Sequence, residues 1–65
     1  MAPGRITQDP TVMAGKPCIR GMRVTVGMIL GQLAEGHTEA EILSAYPYLE
    51  REDIKASLHF AAGRE

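Results

Sequence analysis

Residues 25–47 read TVGMILGQLAEGHTEAEILSAYP, and the fold follows from this stretch. Val26, Ile29, Leu30 and Leu33 stand at i, i+3, i+4 and i+7, a spacing that sets four apolar side chains on one face of a helix. Thr25 offers an N-cap oxygen in front of that helix, and Gly36 supplies the left-handed residue that ends it. Thr38 opens a second helix. With Glu41 it makes the capping-box pattern, in which each side chain satisfies a free backbone N–H of the first turn. Pro47 must stop this helix, since it lacks the N–H that would continue it.

Beyond Pro47 a third helix is expected from about Arg51 to Ala62, with Ile54, Leu58 and Ala61 on its inner face and Gly63 at its end. Its cap is the weak one, because Glu50 replaces the Ser or Thr that binds free N–H groups better. Hydrophobic staples join Val24 to Ile29 and Leu49 to Ile54 across two of the helix starts. Three capped helices with short connections over residues 25–62 make a unit of the helix-turn-helix type.

Residues 5–24 read as a short β-ribbon arm. Arg5 to Gln8 has the makings of a strand, ended by Asp9-Pro10, and Ala14-Gly15-Lys16-Pro17 reads as a turn. Cys18-Ile19 and Met22-Arg23-Val24 flank Arg20-Gly21, whose glycine suits a tight hairpin. Residues 1–4, with Pro3 and Gly4, carry no periodicity and are expected to form a frayed end. The expected fold class is mainly α, one domain of three helices preceded by a β-ribbon.

A chain of 65 residues has a thin core; at this size only about 60% of the unfolded surface is buried. Its single cysteine, Cys18, forms no internal disulfide, and no Cys or His pair has zinc-ligand spacing. Support from another chain is the remaining expectation, as a homodimer or higher oligomer or in a complex. The sequence has no apolar run of about 20 residues and no signal-peptide pattern, which points to no membrane partner and a cytoplasmic setting.

The formal net charge is −1, but the charge is unevenly placed. Arg5, Lys16, Arg20 and Arg23 against Asp9 give the first 26 residues +3, while the remainder carries −4. The chain offers no acid/base pair or nucleophile in a pocket, so no catalytic residue, cofactor or metal ligand is expected. Cys18 reads as a small buried hydrophobe and His37 as a solvent-facing loop residue.

Candidates for DNA contact lie in two places. Lys16, Arg20 and Arg23 cluster about the ribbon, where a dimer would double their charge. On the third helix Arg51, Lys55 and His59 recur at i, i+4 and i+8. Glu50, Glu52 and Asp53 crowd the start of that helix, where they repel phosphate and also suit the positive end of the helix dipole. Candidates for a partner or dimer interface are Ile19 and Met22 on the ribbon, Met28 opposite the first helix's core stripe, and Phe60, which falls off the expected inner face of the third helix.

The order Ile6, Asp9-Pro10, Gly15-Lys16-Pro17-Cys18-Ile19-Arg20-Gly21-Met22-Arg23-Val24, then Leu33-Ala34-Glu35-Gly36, Ile42-Leu43, Tyr46-Pro47-Tyr48-Leu49 and Glu52-Asp53-Ile54 resembles domain-of-unknown-function family 433. Departures are Cys18 where an aliphatic residue is common, Met22 where Thr is common, and Glu50 at the third N-cap. The resemblance implies a homeodomain-like helix-turn-helix and the role of a VapB-like antitoxin. Such a protein would neutralise a PIN-like ribonuclease toxin and regulate its own operon through operator DNA. The residues themselves leave open a stand-alone helix-turn-helix DNA-binding regulator and a pure oligomerisation module.

Overall fold

The computed structural model describes residues 4–63; of the expected frayed end, residues 1–3 lie outside the described residues. A two-stranded antiparallel ribbon, β1 (Ile6–Thr7) and β2 (Cys18–Ile19), precedes α1 (Val26–Ala34), α2 (Glu39–Ala45) and α3 (Arg51–Ala61). The domain is mainly helical, a three-helix unit behind a short β-ribbon.

The helix boundaries fall where local chemistry puts them. Thr25 Oγ1 accepts the Met28 N–H at 3.0 Å, while Met28 Sδ stands 3.5 Å from the Thr25 nitrogen, in the position a Glu or Gln takes in a capping box. At the far end of α1, Gly36 has φ +91°. There the His37 N–H donates to the Gln32 carbonyl at 3.1 Å and the Gly36 N–H to Leu33 at 3.0 Å, which is the Schellman pattern. Thr38 and Glu41 complete their box: Thr38 Oγ1 accepts the Glu41 N–H at 3.1 Å and Glu41 Oε1 the Thr38 N–H at 2.7 Å. Replacing Thr38 by Ala is expected to cost about 1 kcal/mol, read as a lowered urea midpoint at unchanged m-value.

The ribbon departs from the expected hairpin. Arg20 and Gly21 do form a tight turn, with φ +47° and +73° and the Met22 N–H donating to Ile19 at 2.8 Å. No strand follows it. The Ile19 N–H reaches past the turn to the Val24 carbonyl at 2.9 Å, and Met22 and Val24 pack into the core instead of pairing along a ladder. The strand partner of β2 is the distant β1, in register Ile6↔Ile19 and Thr7↔Cys18, and on its other side β2 has only an isolated bridge from Cys18 to Thr25.

Ile19, Val24, Val26, Ile29, Ile42, Leu49 and Ile54 form the core, so both staple pairs lie inside it. On α3 the buried residues are Asp53, Ile54, Ala56 and Ser57; Leu58 is 45% exposed, Ala61 is exposed, and Phe60 packs against the core. The inner face is thus turned by roughly one residue, about 100°, from the one that Ile54, Leu58 and Ala61 define. Small Ala56 and Ser57 face the packing partners α1, α2 and β1, and Asp53 is admitted because its charge is matched.

Candidate functional site

Asp53 is the third residue of α3 and is fully buried. Its carboxylate accepts four hydrogen bonds. Oδ1 receives Arg5 Nη1 at 2.8 Å and Arg20 Nε at 3.2 Å; Oδ2 receives Arg20 Nη2 at 2.8 Å and the Glu50 backbone N–H at 2.9 Å. Arg5 Nη1 also reaches Glu50 Oε1 at 2.8 Å, and Arg20 Nη2 donates to the Tyr48 carbonyl at 2.9 Å. One carboxylate therefore ties the start of β1, the turn after β2 and the α2–α3 connection to the first turn of α3. Asp53 also performs the back-reaching half of a capping box, compensating for the weak N-cap at Glu50.

The electrostatics follow from this geometry. Burial alone would raise the Asp53 carboxyl, but hydrogen bonds from Arg20, the Glu50 N–H and Arg5 outweigh it and hold the group below the usual carboxylate range. Both guanidiniums keep partial access to water, whereas the buried Arg5 Nε has no acceptor among the described residues. The cluster of Arg5, Arg20, Glu50 and Asp53 is neutral as a whole.

The profile of the family described as "Protein of unknown function (DUF433)" matches residues 6–61. The chain belongs to this family. It is similar to the uncharacterized protein y4eO of Sinorhizobium fredii, 34% identical over 56 residues that make up 86% of this chain and 25% of that protein. It is also similar to a DUF433 member protein of Anabaena variabilis known from a crystal structure, with 30% identity and a TM-score of 0.88 over 94% of this chain and 60% of that one. The chain thus spans a quarter of the curated relative's length and less than two thirds of the solved one's.

In this DUF433 chain the Arg20-Gly21 turn takes a role that its place in the sequence does not suggest. Arg20 points to Asp53 and is not a free ribbon cation; Arg5, counted in the same basic arm, is spent in the same way. Lys16, Arg23 and Lys55 are exposed, and none makes an ion pair among the described residues. Arg51 lies 3.4 Å from Glu39 Oε1 in a solvent-exposed pair, an arrangement that stabilises little. The expected concentration of charge on the ribbon is therefore reduced to Lys16 and Arg23, since Arg5 and Arg20 are matched by Glu50 and Asp53.

The apolar candidates sort differently. Ile19 has no exposed surface and is core, so it presents nothing to a partner. Met22 and Phe60 are partly buried against the core. Only Met28, at 38%, remains exposed, joined by Tyr48 at 51% and Leu58, neither of which was expected. Tyr48 packs edge-on against Tyr46, with ring centroids 6.2 Å apart. The Cys18 thiol is buried and donates to the Lys16 carbonyl at 3.2 Å, and exposed His37 lies 3.7 and 3.8 Å from carboxylate oxygens of Glu35 and Glu41. Among the described residues no group of acidic, His and Cys side chains has the geometry to hold a metal, and no helix is long and apolar enough to cross a membrane.

The Asp53 cluster is not legible in the sequence because its arginines lie 48 and 33 residues away. One local signal existed: an acidic residue at the third helical position after a poor N-cap has the spacing of a capping box.

Asp53, Asp9 and Glu41 all have lowered carboxyl pKa values: Asp53 as above, Asp9 through Thr11, and Glu41 chiefly through the Thr38 backbone N–H. A carboxyl with a lower pKa when folded adds stability above its unfolded value, near pH 4, and that stability is lost as pH falls through the folded value. Urea midpoints should be flat near neutrality and decline below about pH 4. In Asp53→Asn much of that acid slope should vanish; a slope identical to the wild type's would show that Asp53 is not its source.

Proposed function

We propose that this chain is a non-enzymatic, antitoxin-like module whose main task is to bind a protein partner, a PIN-like ribonuclease toxin, in the cytoplasm. The observation that carries the reading is the neutral cluster at the start of α3. A helix that reads DNA approaches bases with its N-terminal residues, but here that end bears Glu50, Glu52 and Asp53. Arg5 and Arg20, which reach that end from the ribbon, are engaged with Glu50 and Asp53, and Arg51 at the first position of the helix stands beside Glu39. Exposed Met28, Tyr48 and Leu58 supply apolar surface suited to a protein. The ribonuclease as partner comes from the resemblance to antitoxins.

Binding to operator DNA is the second half of the proposal and falls to Lys16, Arg23, Lys55 and Arg51, whose exposed pair with Glu39 is easily given up. Arg20 drops out of it except through its effect on folding. Co-expression with the product of the adjacent reading frame should relieve growth arrest caused by that product and yield a complex that survives gel filtration. Unrelieved arrest, with no complex, would overturn the antitoxin reading. DNA binding with a steep salt dependence but no nuclease complex would favour the stand-alone regulator.

A further inference from the structure

The segment before β2 divides into an anchored arm and a connection bonded largely within itself. The arm, residues 4–8, is held wholly by distant partners. Ile6 packs on the core and pairs with Ile19, and Arg5 reaches Glu50 and Asp53. The Arg5 carbonyl accepts the Arg20 N–H at 2.8 Å, and Thr7 Oγ1 accepts the Gly21 N–H at 2.9 Å. In the connection the hydrogen bonds are internal up to its last two residues, where the Lys16 carbonyl accepts the Cys18 thiol at 3.2 Å and the Pro17 carbonyl accepts the Val26 N–H at 2.9 Å. Thr11 and Val12 bond back to Asp9, Gly15 to Val12 and Lys16 to Met13.

This connection is also strained. Met13, Ala14 and Gly15 are consecutive residues with φ +49°, +57° and +82°, and the first two have side chains that disfavour the left-handed region. Opening the connection releases that strain and exchanges local hydrogen bonds for water. It leaves every arm contact free to re-form with any chain that offers β2 and α3.

We propose that the chain exchanges this arm between two copies, so that Arg5 of one copy completes the Asp53 cluster of the other. The reach is sufficient: the ten residues from Gln8 to Pro17 extend to roughly 33 Å, against dimensions of 29 × 22 × 19 Å for the whole fold. A closed pair has two opened connections and so relieves four left-handed non-glycine residues. This relief, absent from any dimer that leaves the arms in place, works against the entropy of association. A second copy is the occupant because it alone carries an arm matched to this register and this carboxylate. The inference does not depend on the nuclease reading.

The test uses the full chain. Thr7 and Cys18 are directly paired across the ribbon, within reach of a disulfide. A chain carrying Thr7→Cys and Cys18→Ser is mixed with wild type at high concentration, unfolded, refolded together and oxidised. Peptide mapping by mass spectrometry should find position 7 of one chain joined to Cys18 of the other. Light scattering on untreated wild type should show a concentration-dependent dimer, and Ala14→Gly, which removes one strained side chain per connection and so two per dimer, should weaken it roughly thirtyfold or more. A wild type that stays one chain in mass at millimolar concentration would overturn the proposal. So would a dimer indifferent to Ala14→Gly, or one lacking the interchain link although the Thr7→Cys single variant closes it within one chain.

Discussion

Replacing Asp53 by Ala is expected to remove about 3 kcal/mol of stability, at the low end for breaking a buried ion pair. The loss has two sources. The Glu50 N–H loses its acceptor, and Arg5 and Arg20 lose the carboxylate they share. It stays at the low end because both guanidiniums already touch water and Arg5 keeps Glu50. In a chain of this size, with an m-value of about 1 kcal/mol/M, the urea midpoint should fall by roughly 3 M. Arg5→Ala and Arg20→Ala should each destabilise as well, and with Asp53→Ala in a double-mutant cycle each should be strongly non-additive. Additive losses would mean that the three side chains do not act as one unit. The comparison also guards the functional reading, since an Arg20 variant that fails to bind DNA has first to be shown folded.

Ile54→Ala should cost about 3 to 4 kcal/mol, the range for a fully enclosed branched side chain whose cavity cannot collapse. Leu58→Ala, one turn later, should cost well under about 1 kcal/mol. Ile54 has no exposed surface, whereas Leu58 stands half out of the fold. The same contrast holds for charge: Phe60→Asp should lower the stability of the isolated chain because the ring packs on the core, and Leu58→Asp should not. Loss of partner binding in a Phe60 variant therefore has to be corrected for unfolding, while Leu58→Asp probes the surface directly. Equal costs at positions 54 and 58 would place the inner face of α3 where the apolar spacing alone puts it.

Positions 53, 54 and 58 mark the division between what is legible in the sequence and what is not. The helix limits at Thr25, Gly36, Thr38 and Pro47, the turn at Arg20-Gly21, the staple pairs and family membership could all be read from residues 6–61 without a structure. Each of the structural features is settled by neighbours within five residues or so. Capping hydrogen bonds, φ preferences and proline's missing N–H act over that range. Three things were not legible: the pairing of β2 with β1, the rotation of α3, and the burial of Asp53 between Arg5 and Arg20. All three depend on residues brought together from far apart in the chain. Leu58 looks like a core residue when α3 is read alone, because apolar spacing assumes that charge stays outside. Two arginines from the ribbon reverse that assumption by matching the Asp53 charge inside. The three helices, their caps and the turn are set by local contacts and so by sequence alone; long-range packing chose the strand partner of β2, the face each helix buries and the use of its charges, since a buried charge is tolerable only where a distant partner meets it.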